Sequence, residues 1–374
     1  MARFKLPPIS PLAGSTVGNY VSLLRGNRIE SKYWLKTVLT FIIILIATPF
    51  HWWEKLQYGR KLKHFTFKEP PVFILGHWRS GTTHLHNILC QDPQVGFMTT
   101  YHGVWPNNLA SEAIFKTFMS AAMPNKRPAD NVELNVNFPQ EDDFCLSNMI
   151  PYVYYNYWYF PENWRELYTK YVRFKGVNEK VKSTWINAYR KMVAKALIYN
   201  GGVRPVFKNP VNTGRIDMLL QAFPDAGFIF IHRNPIIVYL STKRFFTELF
   251  PTLTFQKFTE SEIIELIVET YEKILNDYLA QKQLIASARI IELRFEEFEE
   301  HPLVHLKEIY EKFEFKNWEE AEPFFNSYKR SKRSYKKKSG YKITKGELDC
   351  ILDRWGFAMK EWGYSVPESV SVIK

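Results

Sequence analysis

The sequence predicts an α/β fold, a P-loop-type three-layer arrangement with a central parallel sheet, preceded by an N-terminal apolar helix. Three observations predict it. First, VFIL at 72–75 and GFIFI at 227–231 are short uncharged runs. They lack the polar alternation of a half-exposed strand, as buried parallel strands do. Second, helical spacing fills the stretches between such runs. It is clearest over 262–282, where apolar residues fall at 263, 264, 267, 271, 274, 275 and 278. Third, a loop with glycines at both ends, Gly76 to Gly81, joins the first strand to a following helix.

Composition sets the outer bounds. The chain has 374 residues, 46% hydrophobic and 24% charged, which excludes wholesale disorder. Its 17 Gly and 21 Pro show no period, and no repeat of solenoid length is present. Cys90, Cys145 and Cys350 are too few and too scattered for a disulfide framework or a zinc site. They favour a reducing compartment, so the expected location is cytoplasmic. Residues 1–16 lack a signal-peptide layout. Lys and Arg number 50 against 38 Asp and Glu, a formal net charge of +12. Much of the excess sits in Lys329–Lys345, which holds nine cations and no acid. Such a run is either a solvated loop or a counter-surface for a polyanion or anionic nucleotide.

Two segments follow from this reading: an extension over 1–69 and a domain over 70–374. Within the extension, residues 37–50 (TVLTFIIILIATPF) carry no charge and are flanked by Tyr33, Trp34, Trp52 and Trp53. A helix over about 34–53 is expected. The run is shorter than the roughly 20 residues a membrane span needs. Three readings stay open: a buried core helix, a helix lying in a membrane surface on the cytoplasmic side, and a true span.

After Pro70-Pro71 the elements are expected in order. A helix over 83–91 follows VFIL, and 95–100 is a candidate second strand. Residues 101–144 are loop-rich, with a helical piece over 111–123. An aromatic cluster stands at 151–160 (PYVYYNYWYF), and 163–200 has helical character. A strand at 206–208 leads to a helix over 212–223, capped by Asn212 or Thr213. GFIFI is read as the central strand. The last elements are a strand at 289–293 and a helix at 303–313.

The loop Gly76-His77-Trp78-Arg79-Ser80-Gly81-Thr82-Thr83 carries the chemistry. A strand, a glycine-bounded loop and a helix N-terminus together present backbone N–H groups and a positive dipole end to an anion. Arg79 adds a charge, and Thr82 and Thr83 add hydroxyl donors. The GxxxxG spacing matches a Walker A loop, but Thr-Thr stands where Lys-Ser/Thr would. The Walker lysine reaches the β/γ-phosphates of a triphosphate. GFIFI runs into His232-Arg233 and not into an Asp that could hold Mg²⁺. The loop therefore suits a pyrophosphate-type anion bound without a metal.

Two further strand ends deliver cations to the same rim. Arg233 follows GFIFI, and Asn234-Pro235 opens a helix that carries Ser241 about two turns on. Arg233 and Ser241 could grip one phosphate from two directions. Lys208 ends the 206–208 strand.

These residues resemble the sulfotransferase superfamily, in particular bacterial-type sulfotransferases of the Sulfotransfer_3 kind. The matching segments are PPVFILGHWRSGTTHLHNIL, KNPVNTGRIDMLLQAFPDAGFIFIHRNPIIVYLS and LRFEEFEEHPLVHLKEIY. The resemblance implies the sulfotransferase fold and a sulfuryl transfer from 3′-phosphoadenosine 5′-phosphosulfate to an alcohol, phenol or amine, with no metal. It implies that Arg79, Ser80, Gly81, Thr82 and Thr83 form the 5′-phosphosulfate loop, and that Arg233 and Ser241 bind the 3′-phosphate. It suggests Lys208 for charge at the transferring group. Many relatives have Lys at this position; Arg79 keeps the cation but is not a transferable-proton donor. It also places the segment Tyr335–Tyr341 where relatives close over the nucleotide.

The acceptor hydroxyl needs a base. His102 lies near where several relatives place a glutamate. The alternative is the acidic run Glu141-Asp142-Asp143. The aromatic cluster at 151–160 either walls a hydrophobic acceptor pocket or packs the core. With the apolar segment 37–50, a small-molecule sterol or lipid-like alcohol is the expected acceptor, and a carbohydrate or glycolipid its competitor. No nucleic-acid partner is expected. A P-loop nucleotide kinase or NTPase, and a membrane-attached basic binding protein without catalysis, are the alternative functions.

Overall fold

The computed structural model describes residues 9–123, 134–332 and 340–373. The chain opens with helices α1 (Val17–Arg25) and α2 (Trp34–Lys63). Strand β1 (Val72–Leu75), helix α3 (Thr82–Leu89) and the two-residue strand β2 (Val95–Gly96) follow. Then come α4 (Thr100–Val104), α5 (Glu112–Ala122), α6 (Asp142–Met149), α7 (Trp164–Tyr171) and α8 (Glu179–Asn200). Strands then alternate with helices: β3 (Arg204–Lys208), α9 (Ile216–Ala222), β4 (Gly227–His232), α10 (Pro235–Leu253), α11 (Glu260–Gln281) and β5 (Ile290–Arg294). The chain closes with α12 (Phe295–Glu300), α13 (Pro302–Lys312), α14 (Trp318–Lys332), β6 (Tyr341–Thr344), α15 (Lys345–Glu361) and β7 (Val370–Ile373).

These elements form two compact units that interleave along the sequence. One gathers residues 1–69, 96–205 and 247–259; the other gathers 70–95, 206–246 and 260–374. The border expected at 69/70 is one of the crossings between them. Residues 1–69 share their unit with 96–205 and 247–259.

The second unit contains the sheet, in the order β2-β3-β1-β4-β5. β1 pairs in parallel with β3 and β4, and β4 with β5. The middle strand is thus VFIL, and not GFIFI as the sequence suggested. All four residues of β1 are buried, and so are Gly227–Ile231 of β4. β5 is half-exposed, as an edge strand can be. Phe73 stands opposite Phe207 on one side and Phe228 on the other. Because the strands run parallel, Leu75, Lys208, His232 and Arg294 all end on one edge of the sheet. Trp355 of α15 stacks on Tyr271 of α11 (3.7 Å between ring centres) and donates to the Val268 carbonyl. β6 and β7 form a separate two-stranded parallel sheet.

Several expected elements shift. The second strand shrinks to two residues, and the helix expected over 212–223 begins only at Ile216. A 3₁₀ turn over Pro210–Gly214 takes its first residues, because the Asn212 carboxamide accepts from the Arg215 guanidinium and not from a helix amide. The helical stretch 163–200 divides into α7 and α8, with Phe174 and Gly176 at positive φ between them. Of the basic run, residues 333–339 lie outside the described residues.

The first unit is helical. Tyr154, Tyr155, Tyr157, Trp158, Tyr159 and Phe160 of the aromatic cluster are all buried. Trp158 packs on Phe250, and Phe160 stacks on Phe255. The cluster therefore packs the core and does not wall an open pocket. α2 runs for 30 residues, longer than expected at its C-terminal end. Thr37, Thr40, Ile44, Ala47 and Glu54 form its buried stripe. Lys36, which seemed to bound the apolar run, turns inward and donates to the carbonyls of Thr252, Leu253 and Thr254 at 2.8–3.3 Å. It thereby satisfies the C-terminal carbonyls of α10. Burial lowers its ammonium to about 8. Farther along, Glu54 forms a buried ion pair with Lys195 and accepts from the Leu109 amide, while Lys195 also donates to the Pro106 carbonyl.

Breaking a buried pair leaves a charge with neither water nor partner. Lys195→Ala is expected to destabilise the fold by about 3–5 kcal/mol. Lys195→Met with Glu54→Gln should recover most of that loss in a urea titration. Equal stability of Lys195→Ala and wild type would show that the pair is not structural.

Candidate active site

The sheet edge at which β1, β3 and β4 end is where the sequence-predicted donor residues meet. The loop after β1 turns through three left-handed positions. Gly76 has φ 136°, Arg79 φ 70° and Gly81 φ 104°. A Cβ at Gly76 would overlap the Ile231 carbonyl oxygen, and one at Gly81 would overlap the Phe295 ring. Both glycines are therefore demanded by close approach as well as by φ. Arg79 has no such freedom, so its αL backbone stores strain, a feature that concentrates at ligand sites. The loop is tied from several sides. Gly76 N donates to Thr213 Oγ1 (2.8 Å), and the Ser80 hydroxyl donates to the His77 carbonyl (2.8 Å). His77 packs edge-on against Tyr271. α3 then begins at Thr82 with its N-terminus at the loop.

The cations converge on this loop. Arg79 Nε donates to Ser241 Oγ (2.9 Å), and Arg233 Nη1 lies 3.4 Å from the Arg79 carbonyl oxygen. Arg233 also stacks over Phe295, 4.5 Å from the ring centre. Ser241 is buried on α10, whose first turn is capped by the Asn234 carboxamide accepting from Ile236 N. Lys208, buried at the end of β3, donates to Thr83 Oγ1 (3.3 Å). Arg79, Ser241 and Arg233 form one group, and Lys208 with Thr83 stands at the start of α3. Thr82 and Ser80 are buried, while Thr83 is exposed.

Two residues of this edge carry no signal that the sequence reading used. Arg244 lies three residues after Ser241, on the same helical face, and its Nε is buried without a hydrogen-bond partner among the described residues. Asn209 is buried next to Lys208, and both ends of its carboxamide are likewise unpartnered. The Ser-x-x-Arg spacing was the visible hint for Arg244. Asn209-Pro210 reads only as a turn.

The two candidate bases belong to the helical unit. His102 is the third residue of α4 and closes a capping box with Thr99. Its Nδ1 accepts from Thr99 N (3.3 Å), and its ring edge meets Tyr199 at 4.2 Å between centres. Nε2 is buried with no partner among the described residues. Burial pushes the imidazole down to about 3, and Lys195 and Lys116 add repulsion. Glu141 is the N-cap residue of α6 and remains half-buried; its Oε2 accepts from the Tyr155 hydroxyl (2.6 Å). Asp142 is fully buried and accepts from Tyr189.

The loop histidines are packing groups. Burial lowers His77 to about 3, and burial together with the Lys208 charge lowers His86 to about 3.

Two predictions follow from this geometry. Gly81→Ala must strain the turn and displace Phe295, which should cost at least about 1–3 kcal/mol. A melting temperature equal to wild type would refute the close approach. The histidines set a pH window. Folded, His77 and His86 protonate near 3; unfolded, near 6.5. The unfolded chain thus binds more protons between those values, so stability rises with pH there and falls on acidification. Between roughly pH 6.5 and 5.5 the loss should be about 1 kcal/mol per imidazole. His86→Gln should flatten that slope in urea titrations; an unchanged slope would remove His86 from the account.

Comparison with known proteins bears on this site. The chain is 27% identical to the omega-hydroxy-beta-dihydromenaquinone-9 sulfotransferase Stf3 of Mycobacterium bovis over 356 residues, covering 94% of this chain and 90% of that protein. The sulfotransferase STF9 from Mycobacterium avium superposes with a TM-score of 0.65 at 15% identity, over 94% of this chain and 98% of that one. STF1 from Mycobacterium tuberculosis H37Rv gives 0.59 at 16% identity, over 83% and 85%. At these identities the two structures establish the fold alone. The family model described as the sulfotransferase family matches residues 70–320, which span β1 with its loop, Lys208, Arg233 and Ser241. The kinase and non-catalytic readings give way to that match: the chain belongs to the sulfotransferase family.

Proposed function

We propose that this sulfotransferase takes 3′-phosphoadenosine 5′-phosphosulfate as its donor and transfers the sulfuryl group to the hydroxyl of a lipid-like alcohol. The observation that carries the donor reading is the convergence of Arg79, Ser241 and Arg233 beside a glycine-bounded loop and a helix N-terminus. The Gly81 amide and the hydroxyls of Thr82 and Thr83, beside Ser80, hold the 5′-phosphosulfate. Arg233 and Ser241 hold the 3′-phosphate. Arg79, bonded to Ser241, works between the two, and the orphaned Arg244 Nε supplies a further donor on the Ser241 face. Gly76 and Gly81 let the loop turn tightly against Ile231 and Phe295, where a Cβ would collide.

In the transfer, the acceptor oxygen bonds to sulfur and the bond from sulfur to the 5′-phosphate oxygen breaks. The electron pair of that bond stays on the phosphate. Lys208 neutralises charge as it moves. The acceptor proton goes to a base, for which we take Glu141 before His102 on the properties of the two side chains. Nδ1 of His102 is engaged by Thr99, whose amide (3.3 Å) and hydroxyl (2.9 Å) both reach it. Burial holds the imidazole near 3, which leaves it too weak a base for the task. Glu141 is partly open to solvent and is a carboxylate that accepts from the Tyr155 hydroxyl. The acceptor class is supported by the relative whose name specifies a hydroxylated dihydromenaquinone, a lipid alcohol.

The test is donor binding and turnover. 3′,5′-Adenosine bisphosphate should raise the melting temperature without Mg²⁺. Arg233→Ala should weaken that binding about 10- to 100-fold, the worth of a charge-assisted contact; wild-type affinity would remove the 3′-phosphate assignment. Glu141→Gln should slow turnover about 10²- to 10⁴-fold at unchanged donor affinity, with His102→Gln slowing it much less. The opposite ranking moves the base to His102.

A further inference from the structure

The outward face of α2 is apolar from Trp34 to Leu56. Trp34, Leu35, Val38, Ile42, Leu45, Ile46, Trp52, Trp53 and Leu56 are each about half exposed or more, with Leu56 at 85%. Their spacing of three and four residues places them on one stripe, about 33 Å long over 22 residue steps. No acidic side chain interrupts it: Glu54, the one acid of the helix, is buried against Lys195. α5 packs Phe115 on Phe50 of α2 and itself exposes Ile114 and Phe118. A soluble surface does not leave a patch of this extent uncovered without a partner.

Charge identifies the partner. At the end of the stripe stand the exposed Lys55, Arg60, Lys61 and Lys63. Beside them, under α2, opens a cavity of about 790 Å³ lined by Lys55, Lys63, Arg190 and Lys191. The single carboxylate in its wall, Glu54, is already compensated by Lys195. Enclosure of its head lowers the Lys191 ammonium, as do the charges of Lys195 and Lys55, against the opposing pull of Glu54. Apolar length followed by clustered cations is the pattern of a helix that lies in a bilayer surface and meets anionic headgroups.

The same helix has the length and hydropathy of a span, yet it cannot cross a membrane in this fold. Its opposite face is bonded to the body from end to end. Tyr20 donates to the Thr37 carbonyl, Ser10 N to Thr40, His51 pairs with Asn108, and Lys36 caps α10. A span would put Lys36, Glu54 and these hydroxyls into lipid.

We propose that α2 docks this protein flat on a bilayer, its apolar stripe in the acyl boundary, with a phospholipid phosphate received by the basic cavity formed by Lys55, Lys63, Arg190 and Lys191. The inference goes beyond the donor and acceptor reading and does not depend on it, since it concerns a surface of the helical unit alone. It also supplies a reason for a lipid alcohol to be presented to the protein.

The full chain is sedimented with vesicles of phosphatidylcholine and of phosphatidylcholine containing phosphatidylglycerol. It should bind the anionic vesicles roughly tenfold or more tightly, and salt should weaken that binding. Ile42→Asp with Ile46→Asp, both at exposed positions, should abolish binding to both at unchanged melting temperature. Lys55→Ala with Lys63→Ala should erase the preference for anionic vesicles and leave weak binding to neutral ones. Inorganic phosphate at millimolar concentration should not displace the bound protein; displacement would show a free-phosphate site and overturn the lipid source. Failure of wild type to sediment with either vesicle, or wild-type binding by the Asp variant, overturns the proposal. So does a stable dimer, by light scattering, that Ile46→Asp dissociates, because the stripe would then be covered by a second copy. Binding of 3′,5′-adenosine bisphosphate by the same variants keeps the two questions apart: it should stay at the wild-type level when vesicle binding is lost.

Discussion

Positive charge gathered at the carboxyl edge of a parallel sheet is the constraint on which the sheet-bearing unit of this molecule is built. Arg79, Lys208 and Arg233 stand at the loop and first turn of one helix, and Arg244, three residues after Ser241, buries an Nε without a partner among the described residues. Such a cluster repels itself, and the fold must hold it in place. It does so through neutral scaffolding: Thr213 on the Gly76 amide, Ser241 on Arg79, Phe295 under Arg233, and imidazoles at His77 and His86 that burial keeps uncharged. A cationic histidine there would add to the repulsion and to the desolvation cost.

The backbone takes part in the same way. An arginine in the left-handed region is an uncommon choice, and here it turns the side chain of Arg79 toward Ser241 while its carbonyl meets Arg233. One residue thereby links the loop of the first strand to the helix after the fourth.

The helical unit is held by a different device. α2 is anchored by buried polar contacts on one face, and those contacts leave the other face wholly apolar. Lys36 shows how a charge can be present in the sequence yet absent from the surface. Folded inward onto the α10 carbonyls, it removes the one interruption the sequence seemed to place at the start of the stripe.

The sequence by itself determined the α/β class, the family, and the loop from Gly76 to Thr83, because buried parallel strands and glycine-bounded turns are local patterns with few other solutions. It also delivered Lys208, Arg233 and Ser241, since strand ends in a parallel sheet must share an edge. It could not decide which strand lies in the middle, because pairing order is a long-range choice that VFIL and GFIFI satisfy equally. Nor could it tell that the tyrosines of 154–160 pack the core, that His102 closes a helix cap with Thr99, or that Arg79 bonds Ser241. Those facts arise from burial and hydrogen-bond partners brought together from distant parts of the chain. For α2 three readings shared one hydropathy profile, and only the tertiary contacts showed that a stripe of it is buried while the rest is exposed.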